Sequence, residues 1–495
     1  MSMEKEKKHP SVFEPFAIVL NLAVSVVGAI IGIQIVTTLG VTPSTSIIGA
    51  LVAMLIARIP MELFRKYKSI HRQNLMQTSI SSATFGAANS LLIPIGIPFI
   101  MGKTELILPM LIGAALAMFI DATLLYKLFD SRIFPARESW APGVATAESI
   151  LAGDKGGKRA GLLGIGALIG VIGSVLKIPM SALGVAFIGN IWALTMFGVG
   201  LLINQYSMPL FQLDVGKLYI AHGIMIGAGI VALIQVAVLI FKREDSAAEA
   251  SKENEAVTVP MRSVKRTLGL GYVAYLAVAV IIAVLGGLMT KMSAGMLIEF
   301  IIFAAFAAFF HELIVGIAAM HSGWFPAFAD MGYDLKTGYI LRGNGSDKEL
   351  EIRGRKQQYY TGMIAFGVAL LTVVLTYKGF FGQNLVPPID KVYASTINAG
   401  ASLDVAMKLL IWAISGAIIQ WIGGPNRQLG VMLATGLLIV SPNACWAVLG
   451  GILIRVAVLK IKGKEAESTM SILAAGFIAG DALYSFFTSV FKASK

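Results

Sequence analysis

Apolar stretches recur along this chain at nearly even intervals, and that recurrence limits its fold more than any motif does. About 20 residues of helix, rising about 1.5 Å each, cross about 30 Å of hydrocarbon. Stretches near or above that length lie at 15–38, 45–60, 104–126, 160–177, 178–204 and 216–242. They resume at 267–289, 296–320, 359–377, 405–424, 430–461 and 469–491. The segment 73–101 is more polar and ends in IPIGIP, which predicts two short spans or one broken helix. The expected fold is all-α, a polytopic integral membrane protein with about 12–16 transmembrane helices.

Composition agrees. Charged residues make up 14% of the 495 and apolar residues 56%, whereas soluble chains carry about 25% charged. The 52 glycines suit helices that must approach closely where leaving lipid gains nothing. A single cysteine, Cys445, rules out an intramolecular disulfide and a cysteine metal cluster. The net charge of +12 does not point to nucleic acid, because the basic residues sit in short connections between apolar stretches. The lysines of MSMEKEKKHP precede an apolar run too long for a secretory signal, so this run reads as the first span.

Between Phe241 and Arg266 lies KREDSAAEASKENEAVTVPMRSVKR, too polar to bury a core. It divides the chain into a first transmembrane half at 1–241, a charged linker at 242–266 and a second half at 267–495. Basic clusters at the amino terminus and in the linker place both in the cytoplasm, with the chain multi-pass in the plasma, or inner, membrane. Two halves that start on the same side correspond to parallel repeats, an architecture common among transporters.

Ionisable groups inside apolar spans are costly unless they face a partner or a cavity. Those here are Asp121, His222, Glu299, His311, Glu312 and Asp481. His311-Glu312 does not begin a helical zinc site: position four onward is Val315, and His321 lies ten residues away, about 15 Å along a helix. Asp121, His311, Glu312 and Asp481 are instead candidates for proton coupling. His222 reads as a packing histidine. Proline-bearing breaks at IARIP, IPIGIP, KIPMS, WFPAF, GGPNRQ and VSPNACW free backbone groups that a cavity or neighbouring helices must satisfy. AGDKGGKRAG lacks the spacing and the Ser/Thr ending of a phosphate loop, and there is no nucleophile elbow or kinase signature. No cofactor is expected.

Two connections carry a more specific pattern. In FPARESWAPGVATAESI, residues Pro142, Gly143, Ala145, Thr146, Ala147 and Glu148 resemble a signature of the oligopeptide transporter family, which includes the yellow stripe-like metal-chelate transporters. DLKTGYIL followed by RKQQ resembles a second, with Asp334, Leu335, Lys336, Thr337, Gly338, Tyr339, Gln357 and Gln358 in place. The ending AAGFIAGDALYSFF is similar to the family's terminal helix, with Asp481 where a glutamate is usual. The resemblance implies about sixteen spans and secondary, proton-coupled uptake of small peptides, with metal chelates as the alternative substrate. Glu148, Lys336, Asp334 and Gln357 become candidates for substrate binding.

The sequence departs from the family in three places. The Asn-Pro-Gly and Lys-Ile-Pro-Pro-Arg motifs of the eukaryotic peptide branch are absent, and RQNLMQT lacks the glutamate of its usual equivalent. An insertion, LRGNGSDKELEIRG, interrupts the second connection. Two halves alternating access around a central polar site are expected, and the expected partners are a small peptide or metal chelate, protons and the bilayer. A channel would need rings of like residues, and an enzyme a complete catalytic constellation.

Overall fold

The computed structural model describes residues 9–39, 45–241, 258–290, 293–295, 297–298, 301–302, 327–387, 390, 394, 397, 403–439 and 443–493. Before residue 242 come α1 (Pro15–Leu39), α2 (Thr45–Ile56), α3 (Ile70–Phe85), α4 (Ile93–Ile100), α5 (Ile107–Leu128), α6 (Ala141–Lys155), α7 (Gly157–Val175), α8 (Met180–Ile188), α9 (Ile191–Phe211) and α10 (Ile220–Phe241). After it come α11 (Met261–Thr290), α12 (Ala327–Leu341), α13 (Lys348–Gly382), α14 (Leu403–Arg427), α15 (Leu429–Leu438), α16 (Ala444–Lys462) and α17 (Ala466–Ala493). Among the described residues the only β-structure is a bridge between Phe129 and Phe134. Among the described residues eight helices are long and apolar enough to cross a bilayer, so this is an all-helical, polytopic membrane protein.

Several apolar stretches are broken helices. The 73–101 segment is one interrupted rod, in which the π-helical turn Gly86–Leu92 joins α3 to α4. The 178–204 stretch divides at Gly189, where the Asn190 side chain accepts from the N–H groups of Trp192 and Ala193 and so starts α9. The 430–461 stretch also divides, into α15 and α16. In α14 the chain kinks at Gly424, whose φ of 69° is easy only for glycine.

Helices from early and late in the chain meet along glycine seams. Gly166 and Gly170 of α7 face Gly476 and Gly480 of α17, and a Cβ on Gly170 would sit 2.6 Å from the Phe477 carbonyl oxygen. Gly200 of α9 meets Gly436 of α15, and Gly223 of α10 rests against the backbone of Leu409 in α14. Backbone contact of this kind supplies the dispersion that drives helix association in lipid.

The ends of the bundle follow from a few contacts. Val12 N donates to Gln357 Oε1 (2.9 Å) and Arg72 pairs with Glu14 (2.9 Å), so the amino-terminal segment and the starts of α3 and α13 share one end. The α3–α4 rod crosses to the opposite end, and α5 returns, stacking Tyr126 on Tyr359 with centroids 4.3 Å apart. Thr258 N donates to the Asp130 carbonyl (3.1 Å), which brings the start of α11 to the same end.

Candidate functional site

The most polar buried element is α3. Its run QNLMQTSISSAT would be a surface helix in a soluble protein, yet Gln73, Asn74, Gln77, Thr78, Ser79, Ser81, Ser82 and Thr84 are all buried. Such a helix is tolerated inside a membrane protein only where other polar groups meet it. They come from α12, where Asp330 and Asp334 stand four residues apart and therefore on one face. They also come from the start of α2, a twelve-residue helix too short to span about 30 Å of hydrocarbon.

These three elements close around the carboxylates. Thr45 Oγ1 and Ser81 Oγ donate to Asp330 Oδ1 at 2.8 and 2.9 Å. Ser46 Oγ and Gln77 Nε2 donate to Asp334 Oδ1 at 3.1 and 2.5 Å, and Ser82 Oγ reaches Oδ2 at 3.4 Å. Ser46 and Ser81 lie 3.0 Å apart, linking the two clusters. Both aspartates are buried, at 2% and 0% exposure, and neither forms an ion pair among the described residues. The first turn of α2 turns its positive dipole end and two hydroxyls toward them, which partly offsets their charge.

A second polar layer lies nearer the amino-terminal end. Gln358 Nε2 donates to the Asp334 carbonyl (2.6 Å) and to Thr78 Oγ1 (3.2 Å), while its Oε1 accepts from Arg342 Nη1 (2.8 Å). A side chain on Gly338 would collide with this Gln358–Arg342 contact. Arg342 Nε donates to Glu351 Oε2 (2.7 Å), Arg355 Nη2 to Glu351 Oε1 (3.0 Å), and Arg355 also lies 3.7 Å from Asp130. The LRGNGSDKELEIRG segment is therefore no loose insertion. It is a tight turn followed by the first residues of α13, capped by Asp347, whose side chain accepts from Leu350 N (3.0 Å).

The two family-like motifs are not connections either, as the sequence suggested, but buried helices packed on each other. Lys336 Nζ donates to the carbonyls of Ala136 (2.7 Å) and Glu138 (2.9 Å), and Thr337 Oγ1 donates to the Gly143 carbonyl (3.1 Å). Gly143 lets α6 lie against the Tyr333 carbonyl, and Gly332 makes room for the Trp140 ring. Lys336 thus latches the chain entering α6.

The remaining candidates are scattered. Glu148 pairs with Arg159 at the start of α7, and Gln357 holds the amino-terminal segment through Val12 N and Ser11 Oγ. Asp481 accepts from Ser174 Oγ (2.6 Å), Ser181 Oγ (2.5 Å) and Ser181 N (3.0 Å), bridging the break between α7 and α8. Asp121 is buried on α5, which packs against α12, and His222 is exposed, with its ring 6.0 Å from Tyr219. Glu299, His311, Glu312, His321 and the WFP of WFPAF lie outside the described residues. Of the six site candidates among the described residues, only Asp334 sits in the central cluster. Asp330, Thr45, Ser46, Gln77 and Ser81 are not among those candidates; the polarity of 73–101 was a signal for Gln77 and Ser81, and no local pattern marked the other three.

Among the described residues no group of three or more His, Cys, Asp or Glu is placed to hold a metal ion. No curated protein and no solved structure matches the sequence. A family model described as OPT oligopeptide transporter protein matches residues 15–242 and 322–492. That match covers most of the chain and both motifs packed around the polar centre, so the protein belongs to the OPT oligopeptide transporter family.

Proposed function

We propose that this transporter carries small oligopeptides together with protons, and that Asp330 and Asp334 hold the coupling proton. The observation behind this reading is a shortage of hydrogens. Thr45, Ser46 and Ser81 share five close contacts: two to Asp330, one to Asp334, and the Ser46–Ser81 and Thr45–Ser81 pairs at 3.0 and 3.3 Å. Three hydroxyls bring only three protons. A proton on Asp334 supplies a fourth and reverses the Ser46–Asp334 contact into an ordered chain: the carboxyl donates to Ser46, Ser46 to Ser81, and Ser81 to Asp330. Concerted donation along that chain moves the proton charge from one aspartate to the other. Coupling follows if the inward- and outward-open states favour different occupancy of the pair.

In this reading Lys336, Glu148 and Gln357 hold the helices around the centre in register, and Asp481 holds the α7–α8 break. The amino terminus faces the cytoplasm, because its end of the bundle carries Arg58, Arg65, Lys66, Lys68, Lys127 and Arg353, whereas the α4–α5 turn at the opposite end offers Lys103. The peptide assignment rests on the family.

The test is uptake into proteoliposomes with an internal pH dye and an acid exterior, comparing mixed di- to hexapeptides with ferric chelates. The expected result is internal acidification that depends on peptide, falling to the level of empty liposomes in Asp330→Asn and Asp334→Asn proteins that remain monodisperse. Peptide uptake without proton flux in the parent protein, or unchanged coupling in the double variant, overturns the proton site. Chelate-driven acidification alone moves the substrate to the metal-chelate class.

A further inference from the structure

Two adjoining cavities open along the seam between α5 and α11, at the amino-terminal end of the bundle. The first is a cleft of about 460 Å³ edged by Lys127, Arg266, Arg355, Ser263 and Thr267, and among its described lining residues there is no Asp or Glu. The second, of about 300 Å³, is a groove walled by Leu116, Phe119, Ile120 and Leu124 of α5 and by Gly271 and Ala274 of α11. Lys127, Thr267 and Leu270 line both, so the cationic cleft continues into the apolar groove.

We propose that this continuous site binds one anionic phospholipid from the leaflet at the amino-terminal end, with its phosphate in the cleft and an acyl chain in the groove. Charge separates the two ends as it does in the lipid. Arg355 is committed to Glu351 and the Phe129 carbonyl (3.0 Å each), but Lys127 and Arg266 are exposed at the mouth beside the exposed Ser263, while the buried Thr267 lines the cleft deeper in. Depth also agrees. From Lys127 to Leu116 the groove descends eleven residues of α5, about 16 Å at 1.5 Å per residue, which is about half of a 30 Å hydrocarbon core and hence one leaflet. A soluble phosphate would use the cleft and leave the groove without purpose; a zwitterionic lipid would fill the groove without using both cations.

Native mass spectrometry of the full-length protein from detergent, titrated with dioleoyl phosphatidylglycerol, dioleoyl phosphatidylcholine or glycerol phosphate, decides the matter. Phosphatidylglycerol is expected to be retained selectively and glycerol phosphate not at all. Lys127→Gln with Arg266→Gln should weaken that retention about five-fold for each cation removed. Ala274→Phe, which fills the groove and leaves the charge intact, should abolish it. All these positions are exposed or half-buried, and an unshifted melting temperature confirms folding. Equal retention of both lipids, indifference to either set of substitutions, or equal binding of glycerol phosphate overturns the proposal. The readout does not depend on proton coupling and stands or falls apart from it.

Discussion

The protein contains two buried carboxylate clusters within a few helical turns of each other, and they are built on opposite plans. Around Glu351 every charge meets its opposite: Arg342 and Arg355 hold both carboxylate oxygens, and Arg355 also faces Asp130. Around Asp330 and Asp334 the partners among the described residues are only hydroxyls and amides, and none of those residues hydrogen-bonds Asp330 Oδ2. A closed ion network has one comfortable protonation state. A pair of carboxylates held by hydroxyls, which donate or accept equally well, has several close in energy. The first arrangement fixes a structure and the second suits the proton-holding role proposed for it, and Gln358 touches both by accepting from Arg342 while donating to the Asp334 carbonyl.

Substitutions on the two sides should therefore differ most in stability. Glu351→Ala strands two guanidinium groups in the interior and is expected to cost about 3–5 kcal/mol, read as a large fall in thermal midpoint or as failure to purify as a monodisperse species. A tolerated Glu351→Ala would break the distinction. Asp334→Asn replaces a carboxyl group that has no countercharge among the described residues with an amide of nearly the same shape, so stability should stay within about 1 kcal/mol of the parent, while the proposed coupling is expected to be lost. A severe loss of stability there would place Asp334 with the structural network instead.

The most local effect concerns the segment that closes the bundle beside the ion network. Burial, reinforced by the Arg342 charge, lowers the His9 imidazole from its usual 6.5 to about 3, and its Nδ1 contacts the Pro10 carbonyl (2.9 Å). The seated segment thus resists a proton that the released segment accepts below about pH 6.5. Seating is firmest above that value and weakens as pH falls from 6.5 toward 3, by at most about 1.4 kcal/mol per pH unit. A protection factor at the Val12 amide, taken relative to the intrinsic exchange rate at each pH, that falls from pH 7 to pH 5 checks the sign, and a constant protection factor would contradict it.

Helix class and membrane residence were legible in the sequence because apolar length alone decides them. So was the unusual polarity of 73–101. The polar centre itself was less so, for a specific reason. Asp330 and Asp334 lie in a helix whose DLKTGY portion is polar enough to pass for a connection, and only the fold reveals that α3 and the start of α2 offer matching polarity. Lys336 shows the complementary case. A lysine near a family signature suggests a ligand contact, but two backbone carbonyls 2.7 and 2.9 Å away occupy its ammonium. Partners such as Gln77 and Ser46 for Asp334, which lie 257 and 288 residues away in sequence, cannot be read from local pattern.

The glycine seams carry a mechanical consequence. Where side chains interlock, one helix advances along another only by lifting each knob out of its hole and into the next. Gly166, Gly170, Gly476 and Gly480 present α7 and α17 to each other almost bare, so the facing surfaces have few teeth to disengage. Such a contact grips through closeness and shears with little friction, as a plain bearing does.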